Sequence, residues 1–207
     1  MTPADVARAF GVSRETLRRL EAYVYLLRQW NRKINLVSPT TIEEVWTRHI
    51  ADSVQLLDLI RPSARSWIDL GAGAGLPGLP VAIIAAERSL GLRLALVESD
   101  RRKAAFLQVA AQQLGLAVAI EACRIEARPP QPFDVVSARA LAPLDRLCPL
   151  AHRFAGSNTV LLFPKGVQAD SELTAAARHW HIRAERIASR TDPQATILRI
   201  TELEPRS

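Results

Sequence analysis

From Ser66 onward the chain alternates two kinds of segment, and this alternation limits the fold more than any other feature. Runs apolar at almost every position, SWIDL, LRLALVE, AVAIEA, FDVVSA and TVLLFP, are separated by stretches of helical character, LPVAIIAAER, RRKAAFLQVAAQQLG, APLDRLCPLAHRF and ADSELTAAARHW. A strand apolar on both sides needs cover on both sides, and a helix between strands returns the chain for parallel pairing. The tail differs. HIRAERIASR and ATILRITEL flank TDPQ and read as consecutive strands joined by a turn, so the sheet is expected to end in an antiparallel hairpin. Five strands and these two predict an α/β, Rossmann-like fold with a mostly parallel seven-stranded sheet.

The first sixty residues read as helical. Leu17, Leu20, Val24, Leu27 and Trp30 recur at steps of three and four after Ser13, a plausible N-cap without the acid that completes a capping box. A second stripe, Ile42, Trp46, Ile50, Val54 and Leu57, predicts a second helix, and NRKINLVSPTT links the two. The expected organisation is a helical extension over residues 1–62 and a compact domain over 63–207.

Composition narrows the setting. With 207 residues, 48% hydrophobic and 23% charged, the chain is neither disordered nor fibrous. No apolar run approaches the roughly 18 residues of a membrane span, and the N-terminus carries no apolar signal core, so a cytoplasmic protein is expected. Cys123 and Cys148 form no disulfide framework, and His49, His152, His179 and His181 are too scattered for a metal site. The net charge is +6, and 24 of the 27 basic residues are arginine, which suits a polyanionic partner.

The chemistry concentrates after the first strand, in Asp69-Leu70-Gly71-Ala72-Gly73-Ala74-Gly75-Leu76-Pro77-Gly78. Glycines at a strand-to-helix turn let backbone approach a ligand at the carboxyl ends of the strands. Two ligands compete. Gly73, Gly75 and Gly78 satisfy G-x-G-x-x-G, with Glu98 at the distance of a ribose-binding acid, which is the dinucleotide reading. S-adenosylmethionine is favoured for two reasons. Asp69 suits a cationic amino group and repels a pyrophosphate, and Pro77 removes a donor from any phosphate cradle.

These residues, with others, resemble one family, the ribosomal RNA small subunit methyltransferase G family, also called the glucose-inhibited division protein B family. The resemblance runs through Trp30-Asn31-x-x-x-Asn35-Leu36, Arg48-His49-x-x-Asp52-Ser53, the glycine loop as far as Pro80, and Glu98-Ser99 with Lys103 and Phe106-Leu107. It continues through Arg124-Ile125-Glu126, Phe133 to Ala140, and Pro164-Lys165-Gly166. It implies a class I S-adenosylmethionine-dependent methyltransferase with a helical N-terminal extension. The implied reaction is methylation of N7 of a guanosine in the 530 loop of 16S ribosomal RNA, position 527 by convention.

Cofactor binding then falls to Asp69, Gly71, Gly73, Gly75, Leu76, Glu98, Ile125, Glu126 and Arg139. Glu98 stands where many members have Asp, a swap that keeps the carboxylate. Ala138 sits within a Ser-Arg-Ala run of many members and puts the aim of Arg139 in question. Asn31, Lys33, Asn35, Arg48, His49 and Lys165 are the candidates for RNA contact. His49, Asp52 and Ser53 lie too close together on one helix to act as a hydrolytic triad.

Guanine N7 carries an exposed lone pair and loses no proton on methylation, so no general base is required. Catalysis reduces to positioning and to polar groups that accommodate the changing charge. Arg139 is the residue expected to touch both ligands. The substrate is expected to be a 30S subunit or its precursor, read as assembled shape, and the enzyme a monomer without a metal. The competing readings are a methyltransferase of the same fold acting on another RNA or a protein, and more remotely a dinucleotide-binding oxidoreductase or a non-catalytic nucleotide-binding module. All three lysines, Lys33, Lys103 and Lys165, fall inside the matched segments, with Lys165 expected to face the site or the RNA.

Overall fold

The computed structural model describes residues 1–206. Six helical segments precede the sheet. Helix α1 (Pro3–Phe10) starts at a capping box made by Thr2 and Asp5 and stops at Gly11, whose φ of 63° ends the helix in the left-handed region. Helix α2 (Arg14–Asn31) starts at Ser13, whose hydroxyl accepts from the Thr16 amide at 3.2 Å. It buries Leu20, Tyr23, Val24 and Leu27. The cap and the apolar stripe are those expected from the sequence.

The second expected helix is not one helix. It breaks into α3 (Pro39–Glu43), a π-helical stretch over Trp46–Ala51, a short α4 (Asp52–Val54) and a 3₁₀ turn over Gln55–Leu59. The apolar stripe survives the break. Ile50 and Val54 are buried and Ile42 and Trp46 half-buried, so the expected inner face is kept across the π-helical stretch.

The remainder alternates as predicted. The elements are β1 (Ser66–Leu70), α5 (Gly78–Glu87), β2 (Arg93–Val97), α6 (Arg101–Gln113), β3 (Val118–Glu121), β4 (Val135–Ser137), α7 (Leu144–His152), β5 (Val160–Lys165), α8 (Ala169–Ala176), β6 (Trp180–Ala188) and β7 (Thr196–Pro205). A 3₁₀ turn, Ile125–Ala127, precedes β4. The sheet order is β3-β2-β1-β4-β5-β7-β6. The first five strands pair in parallel, and β7 inserts antiparallel between β5 and β6. So the expected seven-stranded sheet is present, with its hairpin folded back so that the last strand lies inside.

Strand alternation divides the core in two. Trp67, Leu94, Leu96 and Leu162 face a cluster shared with α1, α2, α5 and α6. Ile68, Ala95, Val97 and Phe163 face a cluster built with α7 and α8. The N-terminal helices are thus packed into one of the two cores. Strand order reverses between β1 and β4, which opens a crevice at their carboxyl ends.

Candidate functional site

The glycine loop leaves β1 and enters α5 at this crevice. Gly71, Gly73 and Gly75 have φ of 65°, 56° and 80°. A Cβ on Gly73 would meet only the Gly71 carbonyl oxygen, at 3.8 Å, so the space beside it is open. Gly75 differs: a Cβ there would lie 2.5 Å from Leu79 Cδ1 and 2.9 Å from Leu107 Cδ2. Gly75 seats the loop on the core rather than exposing it to a ligand, which corrects its expected part in cofactor contact.

Most of the loop's amides are already committed. The Ala72 amide donates to the Val97 carbonyl at 3.0 Å, and the Gly75 and Leu76 amides donate to the Ala72 carbonyl at 2.7 and 3.1 Å. The Gly73 amide donates to Glu98 Oε2 at 2.8 Å. A pyrophosphate needs free amides, and this loop offers a carboxylate in their place. The dinucleotide reading loses its main support here.

A cavity of about 460 Å³ lies over the loop, bounded by Gly73, Leu76, Glu98, Ile125, Glu126 and Arg139 among others. Glu98 is 8% exposed and sits just beyond β2. Its Oε1 accepts from the Asp100 amide at 2.8 Å, so each oxygen holds one protein donor and keeps a lone pair for another. A carboxylate held this way suits a vicinal diol. A cavity that presents Glu98 and Glu126 over a loop that spends its amides internally fits S-adenosylmethionine, a cation without phosphates.

Asp69 does not line this cavity. It is 1% exposed and lies beneath the loop. Ser137 Oγ donates to its Oδ1 at 2.7 Å, the Gly78 amide donates to its Oδ2 at 3.1 Å, and Trp67 Nε1 donates to Ser137 Oγ at 2.8 Å. Burial pushes its carboxyl up to about 7, against the opposing pull of these donors and of Arg139. The expected contact between Asp69 and the cofactor amino group has no opening in this geometry: Asp69 is enclosed outside the cavity lining, and it fixes the loop and the start of α5 from below.

A second cavity, of about 760 Å³, adjoins the first and shares Leu36, Val37, Arg139, Ala140 and Leu141 with it. Arg139 stands in the common wall. Its Nη1 donates to the Arg48 carbonyl at 2.9 Å and contacts Asp52 Oδ2 at 3.4 Å, and its Nη2 meets His49 Nδ1 at 3.0 Å. A guanidinium only donates, so His49 Nδ1 accepts and the ring proton sits on Nε2, facing Thr41 Oγ1 at 3.1 Å. Burial, then the Arg139 charge, pushes the His49 imidazole down to about 3, so it is neutral at ordinary pH. Three of the five N–H donors of Arg139 are spent on its seat, leaving Nε and one on Nη2. Ala138 is buried in the core and does not turn Arg139 from the crevice.

The other RNA candidates separate. Arg48 lines the second cavity and pairs with Asp192. Lys165 lines it too, but its ammonium donates to the Ala142 carbonyl at 2.9 Å and pairs with Glu172 at 2.8 Å. Glu172 also accepts from the Leu144 amide at 2.8 Å, so Lys165 braces the segment after Arg139. Asn31 is a local brace: its Oδ1 accepts from the Leu36 and Val37 amides, each at 2.9 Å. Lys33 and Asn35 are exposed and line neither cavity. Asn31 thus serves as scaffold beneath Leu36 and Val37, while Lys33 and Asn35 stand outside both cavities.

Three participants escaped the sequence reading. Tyr23 Oη, fully buried in α2, donates to the Ala74 carbonyl at 2.7 Å and ties the N-terminal helices to the glycine loop. Leu36 and Val37 form the roof common to both cavities. Periodicity marks Tyr23 only as core, and nothing local marks Leu36 or Val37. Among the described residues no helix is long and apolar enough to cross a membrane, and no group of three His, Cys, Asp or Glu side chains is placed to hold a metal.

Comparison with known proteins bears on the same residues. The family model for rRNA small subunit methyltransferase G matches residues 16–195, which includes the glycine loop, Glu98, Arg139 and Lys165. The chain belongs to this family. It is 46% identical over 203 residues to the ribosomal RNA small subunit methyltransferase G of Cereibacter sphaeroides, covering 98% of each chain. It is 50% identical over 202 residues to that of Rhodospirillum centenum, covering 98% of this chain and 91% of the relative.

Solved structures of low identity share the fold. The mitomycin 7-O-methyltransferase MmcR gives a TM-score of 0.58 at 14% identity, covering 96% of this chain and 71% of that one. A point mutant of MtNAS in complex with S-adenosylmethionine gives 0.56 at 17% identity, covering 95% and 79%. In the methyltransferase G family, then, the fold is that of class I S-adenosylmethionine-dependent methyltransferases with a helical N-terminus.

Proposed function

We propose that this chain methylates N7 of a guanosine in the 530 loop of 16S ribosomal RNA, position 527 by convention, using S-adenosylmethionine. The carrying observation is the position of Arg139, in the wall between the cavity over the glycine loop and the larger cavity that the N-terminal segment helps to build. The family membership of the chain supports the ribosomal RNA substrate. We divide it into an extension, residues 1–62, that forms the substrate side and a methyltransferase domain, residues 63–207, that holds the cofactor.

When bound, S-adenosylmethionine supplies an electrophilic methyl group on a sulfonium sulfur. Glu98 is placed to accept from ribose hydroxyls, the Gly73 segment leaves room for the cofactor, and Ile125 supplies apolar contact. Guanine N7 gives up no proton, so the reaction asks for no base. His49 is neutral but its acceptor nitrogen is occupied by Arg139. The two free N–H donors of Arg139 hold the guanine or its phosphate in position, so the residue acts by orientation. Arg48 and Arg139 place two guanidinium groups in the wall of the second cavity, where a ribonucleotide's phosphate competes with Asp192 and Asp52 for them.

The substrate is read as the assembled small subunit or its precursor, and the enzyme works as a monomer in the compartment where ribosomes are made. The test is transfer of tritiated methyl groups to 30S subunits lacking the modification, with the labelled nucleotide mapped and deproteinised 16S RNA run in parallel. Label at N7 of that guanosine, and greater transfer to subunits, is the expected outcome. Label on another nucleotide or at another atom refutes the assignment. Calorimetry with S-adenosylhomocysteine and with nicotinamide dinucleotides tests the cofactor: binding of the latter alone would return the dinucleotide reading.

A further inference from the structure

The outer face of α2 takes no part in either cavity, yet its side chains are not those of an idle surface. Arg14, Arg18, Glu21, Tyr25, Arg28 and Arg32 recur at alternating steps of four and three, which places them on one stripe, and all six are exposed. The opposite face, with Leu20, Tyr23, Val24 and Leu27, is buried in the core. Ten of the 24 arginines form ion pairs, and among the described residues none of the four on this stripe does. The opposing charges on this side of α2 are Glu21 on the stripe and Glu15 beside it. Tyr25 lies mid-stripe and is 63% exposed, far more than the other tyrosine, Tyr23.

The stripe leads to the site. Helix α2 has 18 residues, about 27 Å at 1.5 Å per residue. At its C-terminal end Gln29, Trp30, Arg32 and Lys33 line a hollow of about 380 Å³, with the Trp30 ring 5.7 Å from that of Phe106. The link that follows carries Leu36 and Val37 into the roof of both cavities. Two pairs of unpaired cations, Arg14 with Arg18 and Arg28 with Arg32, each about one helical turn apart, with an exposed aromatic ring between the pairs, offer what an RNA strand uses: phosphate partners and a stacking face. A membrane surface is not favoured, because the apolar face of α2 is buried and has nothing to insert.

We propose that this face of α2 binds the ribosomal RNA backbone flanking the target nucleotide, through Arg14, Arg18, Arg28 and Arg32, with Tyr25 stacking on an unpaired base and Lys33 closing the row. The proposal rests on the ribosomal RNA reading above and adds to it a binding surface outside the catalytic crevice.

The test uses the full chain carrying Arg18→Gln, Arg28→Gln and Arg32→Gln together, the same three sites as Lys, and Tyr25→Ala. Methyl transfer to unmethylated 30S subunits is measured across salt, with calorimetry of S-adenosylhomocysteine and binding to deproteinised 16S RNA. The Gln variant is expected to raise KM about tenfold and to lower the slope of log kcat/KM against log salt by about 2, from three contacts at roughly 0.7–0.9 each. Its kcat and S-adenosylhomocysteine affinity should match the parent's. The Lys variant should restore most of the KM, and Tyr25→Ala should raise it about fivefold, as expected for loss of one stacked base.

An unchanged KM and salt slope in the Gln variant, beside an active parent, overturns the proposal. So does a loss that the Lys variant shares, or weakened S-adenosylhomocysteine binding, since either means a disturbed fold. An effect on subunits with none on deproteinised RNA assigns the stripe to a ribosomal protein and overturns the RNA assignment. A parent inactive on subunits refutes the ribosomal reading itself, and the proposal falls with it.

Discussion

Asp69→Asn is expected to stabilise the protein above neutral pH and to change it little below pH 4. Asp69 is enclosed beneath the glycine loop, and burial raises its carboxyl from 3.8 to about 7 in spite of hydrogen bonds from Ser137 and the Gly78 amide. The raised value means that the folded protein holds this proton more tightly than the unfolded chain. The favourable contribution is then complete below about pH 4 and is lost as pH rises through about 7. The displacement corresponds to about 4 kcal/mol at 1.36 kcal/mol per pH unit. Asn resembles the protonated acid: its carbonyl oxygen can accept from the Gly78 amide and its amide group can donate to Ser137 Oγ. Urea denaturation of parent and variant, from pH 4 to pH 8.5, reads the difference directly. It should grow from near zero to about 4 kcal/mol and level off above pH 8. A difference that is flat across this range, or largest in acid, refutes the burial argument. It would mean that the donors around Asp69 keep it ionised throughout.

Three further outcomes follow from the site. Arg139→Ala should reduce methyl transfer to 30S subunits by about a hundredfold, the scale of losing a group that organises the transition state, while costing about 1–3 kcal/mol of stability through the unpaired His49 nitrogen. Steady-state kinetics beside thermal unfolding separates the two, and turnover near the parent level would remove Arg139 from its role. Tyr23→Phe deletes the bond to the Ala74 carbonyl and should cost about 1–2 kcal/mol while weakening S-adenosylhomocysteine binding severalfold by calorimetry. Gly73→Ala places a methyl group in open space but at φ 56°, so about 1–2 kcal/mol of backbone strain and weakened S-adenosylhomocysteine binding are expected together. Binding equal to the parent's would show that the space beside Gly73 is not used.

The architecture was legible because its signals are local. Apolar strands read in both directions, the Ser13 cap and the loop of glycines each state their conformation within a few residues. The break in the second helix was not legible, since the apolar stripe that predicts one helix survives it. The site was legible by composition but not by direction. Asp69 and Glu98 are both carboxylates at strand ends, yet one points under the loop and the other into the cavity. The choice is made by Ser137, which lies far from Asp69 in the chain, and by the Gly78 amide beyond the loop, which claim its two oxygens.

The same logic governs the basic residues. Charge suggested an anionic partner without saying which cations are free to meet it. Lys165, the lysine expected to face the site, spends its charge on Glu172 and its remaining reach on the Ala142 carbonyl, both supplied by segments beyond any local window. Arg139 spends three of its donors on the N-terminal segment yet keeps two, because Arg48 offers a backbone carbonyl and His49 a neutral nitrogen, with Asp52 alone contributing charge. A seat of two neutral acceptors and one carboxylate holds the guanidinium in place and leaves two of its N–H donors to a substrate. That is the arrangement a positioning cation needs beside a polyanionic substrate, and it accounts for the N-terminal helices being packed into the core of the fold that carries the glycine loop.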